Sequence, residues 1–116
     1  MASLAALVAK AKSGKVSLRD LIADAEALQH AAQMKQAKAS HKRVVAEDAM
    51  RKAGDLKQKL QDRDATPTAI AKADAVYQRA KARHDTAKAD WRRLADAWEA
   101  TRQVGRSIPA LHGSGV

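Results

Sequence analysis

A seven-residue repeat, present twice, limits what this chain can fold into more than any other feature. From Leu18, every seventh residue is Leu or Ala: Leu18, Ala25, Ala32, Ala39, Ala46, Ala53 and Leu60. From Ile70 a second series reads Ile70, Tyr77, His84, Trp91 and Trp98, with Ala73, Ala80, Ala87, Leu94 and Thr101 three residues on from each. A period of seven keeps one stripe of a helix turned toward a partner helix, whereas a half-buried strand alternates every second residue. The expected fold class is therefore all-α, a long antiparallel helical hairpin of alanine-rich coiled-coil type with a short N-terminal helix. Small residues line one helix and bulky residues the other, so rings fill the space that alanines leave. The expected helix–helix interface takes Leu21, Leu28, Ala32, Ala39, Ala46, Leu56 and Leu60 from the first long helix. The second long helix contributes Ile70, Tyr77, His84, Trp91, Leu94 and Trp98.

Local signals place the boundaries within one helical domain spanning residues 1–116. Residues 1–15 form a short amphipathic helix and linker, with Leu4, Leu7, Val8 and Ala11 on one face and Gly14 as the stop. The first long helix covers 17–62. Ser17 is its N-cap, Asp20 a capping-box acid, and Val16 with Leu21 a hydrophobic staple. Gly54 costs about 1 kcal/mol against alanine, but the repeat passes it without a phase shift, so the helix should continue. A short turn over 62–65 leads to Thr66 as N-cap and Pro67 at the first helical position, which tolerates proline. A turn this short makes the long helices antiparallel. The second long helix covers 66–104. Gly105 and the Ile108-Pro109 pair are expected to end it, leaving 105–116 as a flexible tail.

Two lysines, Lys35 and Lys42, fall at inner positions of the first repeat. Lys35 is expected to face Trp91 or Trp98, where a cation over an indole is worth about 0.5–2 kcal/mol. His84, at a seam position, reads as a core histidine with a hydrogen-bond partner.

Few residues offer chemistry. The histidines His30, His41, His84 and His112 show no i, i+4 pairing and no carboxylate at metal spacing. There is no Walker loop, glycine-rich phosphate cradle or nucleophile elbow. The chain has no cysteine, which removes disulfides and thiolate chemistry. No catalytic residue, cofactor, metal or small-molecule substrate is expected, and the chain reads as non-enzymatic.

Charge points to partners instead. The chain carries 22 Lys and Arg against 13 Asp and Glu, a formal charge of +9. Between Ala27 and Ala46 there is no acid. Lys35, Lys38, Lys42 and Arg43 from this window, with Arg92 and Arg93, form a candidate polyanion-binding band. Lys38 and Arg43 are expected beside or outside the seam. Contact of this kind would be with phosphates, without base reading.

The expected task is structural: a basic hairpin that docks partner helices or copies of itself within a larger complex. Sequence-independent nucleic-acid binding is the alternative. Binding to a membrane surface is not expected, because the apolar face of the first helix is short. With no span of about 20 apolar residues and no signal-peptide pattern, the chain reads as cytoplasmic or enclosed in a larger particle.

Overall fold

Capping side chains set most of the helix ends where the sequence places them. In the computed structural model, which describes residues 3–114, α1 spans Leu4–Ser13, α2 spans Leu18–Asp62 and α3 spans Pro67–Ser114. The Ala6 N–H donates to Ser3 Oγ at 3.1 Å, the Asp20 N–H to Ser17 Oγ at 3.2 Å, and the Ala69 N–H to Thr66 Oγ1 at 3.2 Å. Each bond satisfies a donor that a first helical turn leaves without an intrahelical acceptor. Gly14 ends α1 at φ 69°, in the left-handed region that glycine enters without a Cβ penalty. The end of α2 is closed by a different residue. Asp64 stands at φ 54°, its N–H donates to Gln61 O at 3.2 Å, and the Ala65 N–H donates to Leu60 O at 3.0 Å. These two bonds make a Schellman closure with aspartate where glycine is usual. Helix α2 runs through Gly54 unbroken.

Among the described residues 92% are helical and none is in a strand, so the fold is an all-α helical hairpin preceded by a short helix. No helix among them is long and apolar enough to cross a membrane.

The C-terminal end of α3 corrects the sequence reading. The helix does not stop at Val104. It continues through Gly105 and Pro109 to Ser114, so most of the supposed tail is helical. Residues 115–116 lie outside the described residues. The reason is tertiary. Val104, Ile108 and Leu111 recur at i, i+4 and i+7 and share one face, and Ile108 is 0% exposed against Leu7 and Leu21. Full burial of such a side chain stabilises by about 1.5–3 kcal/mol, and Val104 and Leu111 are half-buried beside it. Their combined burial offsets the roughly 3 kcal/mol that an internal proline costs a helix.

The chain divides into two compact units, one of residues up to Ala37 and from Arg93 onward, the other Lys38–Arg92. The first unit holds three helices. Leu7 and Ala11 of α1 pack with Leu21 and Ala25 of α2 and Ile108 of α3, and Val16, Leu18, Leu28, Val104 and Leu111 border this core. Of the interface expected here, Leu21 is buried and Leu28, Ala32, Leu94 and Trp98 are half-buried.

The second unit is a two-helix hairpin with a thinner core. Its buried apolar side chains, among the described residues, are Ala39, Ala53 and Ala73. Ala46, Leu60, Ile70, Tyr77, His84 and Trp91 are half-buried, as the repeats predict. Tyr77 packs on the bare backbone of Gly54, where an added Cβ would stand 3.4 Å from its Cε2. This contact pairs the Leu56 turn of α2 with Tyr77 rather than with Ile70. Leu56 itself is a correction. It is 52% exposed and does not join the interface.

Candidate functional site

The two flanks of the hairpin unit differ, and the difference follows from side-chain size. On α3 the rings of the Ile70 series lean toward one flank and the alanines of the Ala73 series toward the other. The ring flank is closed by long cationic side chains from α2. Arg43 places its guanidinium carbon 4.6 Å from the centre of the Trp91 ring, and its Nη1 lies 3.6 Å from Glu47 Oε2. Lys57 Nζ lies 5.7 Å from the Tyr77 ring centre and donates to Asp74 Oδ1 at 2.7 Å. Such stems cover a ring while the charged head still reaches water or a carboxylate. The hydrogen bond from Lys57, and next the one from Gln78, hold the Asp74 carboxyl below its ordinary value of 3.8. On the outer surface of α2, hydrogen bonds from Lys52 and then Arg51 do the same for Asp48.

This closure overturns the placement of two lysines. Lys35 and Lys42 are both exposed. The expected cation–indole contact exists, but Arg43 supplies it to Trp91, and Arg102 stands 5.3 Å from the ring centre of Trp98 within α3. In the hairpin unit Arg43, Met50 and Lys57, four residues on from the Leu18 series, are each half-buried. The series three residues on, Lys42, Ala49 and Leu56, is exposed. The large rings take the long side chains of Arg43 and Lys57 on their own flank, while Lys42 on the alanine flank stays exposed. His84 is half-buried at its seam position, with Nδ1 3.6 Å from Asp85 Oδ1.

The candidate polyanion band is therefore redistributed. Lys38, Lys42 and Arg92 are exposed in the hairpin unit. Arg43 leaves the band, since its Nε is buried and its charge is engaged by Trp91 and Glu47. Lys35 and Arg93 are exposed but belong to the three-helix unit. The six cations do not form one patch on one unit.

The alanine flank instead forms a groove of about 380 Å³. Its floor is Val45, Ala46 and Ala49 of α2 with Ala80 of α3, and His41, Lys42 and Arg83 stand at its edge. Lys42 and Arg83 also line a neighbouring depression together with Ala87 and Asp90. Val45 is 54% exposed and, farther along the same flank by helical spacing, Val76 is 47% exposed. Sequence reasoning did not assemble this groove. Val45 and Val76 stand out as apolar residues off the main seam, but the repeat alone does not say which flank is open. Among the described residues no group of three or more His, Cys, Asp or Glu could hold a metal ion.

No protein-family model, no curated protein and no solved structure matches this chain.

Proposed function

We propose that this chain is a non-enzymatic assembly protein, a basic helical hairpin that docks partner helices or further copies of itself within a larger complex. The observation that carries this reading is the apolar surface left open on the hairpin unit, where Val44, Val45, Leu56 and Val76 are all exposed. Each such side chain gains about 1.5–3 kcal/mol on full burial. The unit's own buried core is alanine alone among the described residues. Two-helix units with so little buried apolar area rarely reach ordinary stability unaided. Burial against another protein removes both deficits. Virions, secretion machines and transfer apparatus use hairpins of this shape, which is analogy at the level of fold. Such a role suits a cytoplasmic protein or one enclosed in a particle.

Sedimentation equilibrium with thermal melts over a hundredfold range of concentration tests the proposal. Self-association, or a low melting point raised by concentration or by a partner, is the expected result. A monomer melting above about 90 °C, the hyperstable range, would remove the energetic basis of the reading.

A second reading, sequence-independent nucleic-acid binding, is favoured by the exposure of Lys38, Lys42 and Arg92 in the hairpin unit. Its test is retention on duplex DNA as salt rises. Lys38→Glu with Lys42→Glu should flatten the log–log salt slope by about 0.9 for each phosphate that is no longer neutralised. Arg43 is unsuitable for this test, because its removal would open the seam at Trp91.

A further inference from the structure

We propose that the open flank of the hairpin unit seats a short amphipathic helix with acidic edges, contributed by a partner protein. This inference rests on the docking role and names the site and the chemistry of its occupant.

The first support comes from the three-helix unit, where α1 shows what covers this flank. There Leu7 and Ala11 of α1 share one core with Leu21 of α2 and Ile108 of α3, and Leu28, Val104 and Leu111 pack against that core. In the repeat, Leu21 and Leu28 hold the same position as Lys42, Ala49 and Leu56. Val104 and Leu111 hold that of Val76 and Arg83, and Ile108 that of Ala73 and Ala80. The corresponding side of the hairpin unit has no third helix among the described residues, and Ala49, Leu56 and Val76 are exposed there. Val45, Ala49 and Leu56 recur at i, i+4 and i+11 along α2, and Val76 and Ala80 at i and i+4 along α3. That span is about 17 Å at 1.5 Å per residue, close to the 10 residues of α1. Alanines on the floor allow a visiting backbone to come near, as they do between helices generally.

The second support is charge. His41, Lys42 and Arg83 border the apolar floor. Helix α1 of another copy would bring Lys10 and Lys12 and no acid, so like charges would meet, an arrangement that disfavours that partner. Glutamates or aspartates flanking a Leu/Ala stripe meet Lys42 and Arg83 with opposite charge.

The test is fluorescence anisotropy with two labelled, hydrocarbon-stapled helical peptides that share one Leu/Ala stripe. One carries glutamates on the stripe's flanks and the other lysines. The full chain should bind the acidic peptide saturably, and at least about tenfold more tightly than the basic one. Lys42→Glu with Arg83→Glu, both exposed positions, should invert that preference. Ala49→Gln, which puts bulk on the groove floor without charge, should abolish binding of both while circular dichroism stays unchanged. Equal affinities, indifference to Ala49→Gln, or no saturable binding would overturn the inference. So would displacement of the peptide by a second copy of the chain or by duplex DNA, which would give the groove to those occupants. Sedimentation of the chain alone separates this failure from failure of the assembly role. Self-association without peptide binding leaves that role standing, whereas a hyperstable monomer that binds no peptide ends both.

Discussion

Replacing Gly105 with alanine tests whether α3 continues beyond Val104. If Gly105 ended the helix in the left-handed conformation, alanine there would cost roughly 1–2 kcal/mol. The structure makes the opposite demand. Gly105 is within α3, and the described glycine with positive φ is Gly14. A Cβ added at Gly105 would stand 3.9 Å from Ala25 Cβ, an ordinary van der Waals contact that requires no shift. Alanine then gains about 0.8–1.0 kcal/mol of helix propensity. The new methyl is half-buried and adds part of the ~0.8 kcal/mol of a fully buried carbon. The expected net effect is a stabilisation of about 1–1.5 kcal/mol. In a domain of roughly this size that raises the melting temperature by about 4–8 °C per kcal/mol. Circular dichroism melts and urea unfolding read the change, and Gly14→Ala is the internal control. At φ 69° that substitution should destabilise by about 1–2 kcal/mol. If Gly105→Ala destabilised by as much as Gly14→Ala, the extended α3 and the core built on it would be wrong.

Ile108→Ala should cost about 2–5 kcal/mol in urea unfolding, the range for a fully buried large-to-small change, whereas a mobile tail would give no effect. Arg43→Leu removes the cation over Trp91, so tryptophan emission should shift and stability should fall by about 0.5–2 kcal/mol; identical spectra would show that Trp91 is shielded by something else. Asp74→Asn addresses pH dependence. The folded Asp74 pKa is depressed, chiefly by Lys57, so its contribution is present above the unfolded value of about 3.9 and is lost as pH falls through the lower folded value. The wild type should therefore lose more stability than Asp74→Asn between about pH 5 and pH 2. Equal acid sensitivity would mean that the Lys57 bond does not persist in solution.

The helical class, the antiparallel order, the inward stripe and most of the caps are legible in the chain, because these depend on local spacing. Ser3, Ser17 and Thr66 satisfy helix-start donors through side chains a few residues away, and a seven-residue period needs only one partner helix to acquire meaning. The repeat does not specify which flank of a two-helix pair is covered, since both flanks lie at similar angles to the seam. Ring size on α3 decided that, drawing Arg43 and Lys57 onto Trp91 and Tyr77 and leaving Lys42, Ala49 and Leu56 outside. For the same reason Arg43 turns from the basic run of the sequence onto Trp91 and Glu47. The groove between Ala49 and Ala80 joins residues far apart in the chain, and only the hairpin register brings them together. Beyond Val104, glycine and proline gave a correct account of local propensity. Burial of Ile108 against α1 and α2 outweighed it, a contact between elements nearly a full chain length apart that no local signal encodes.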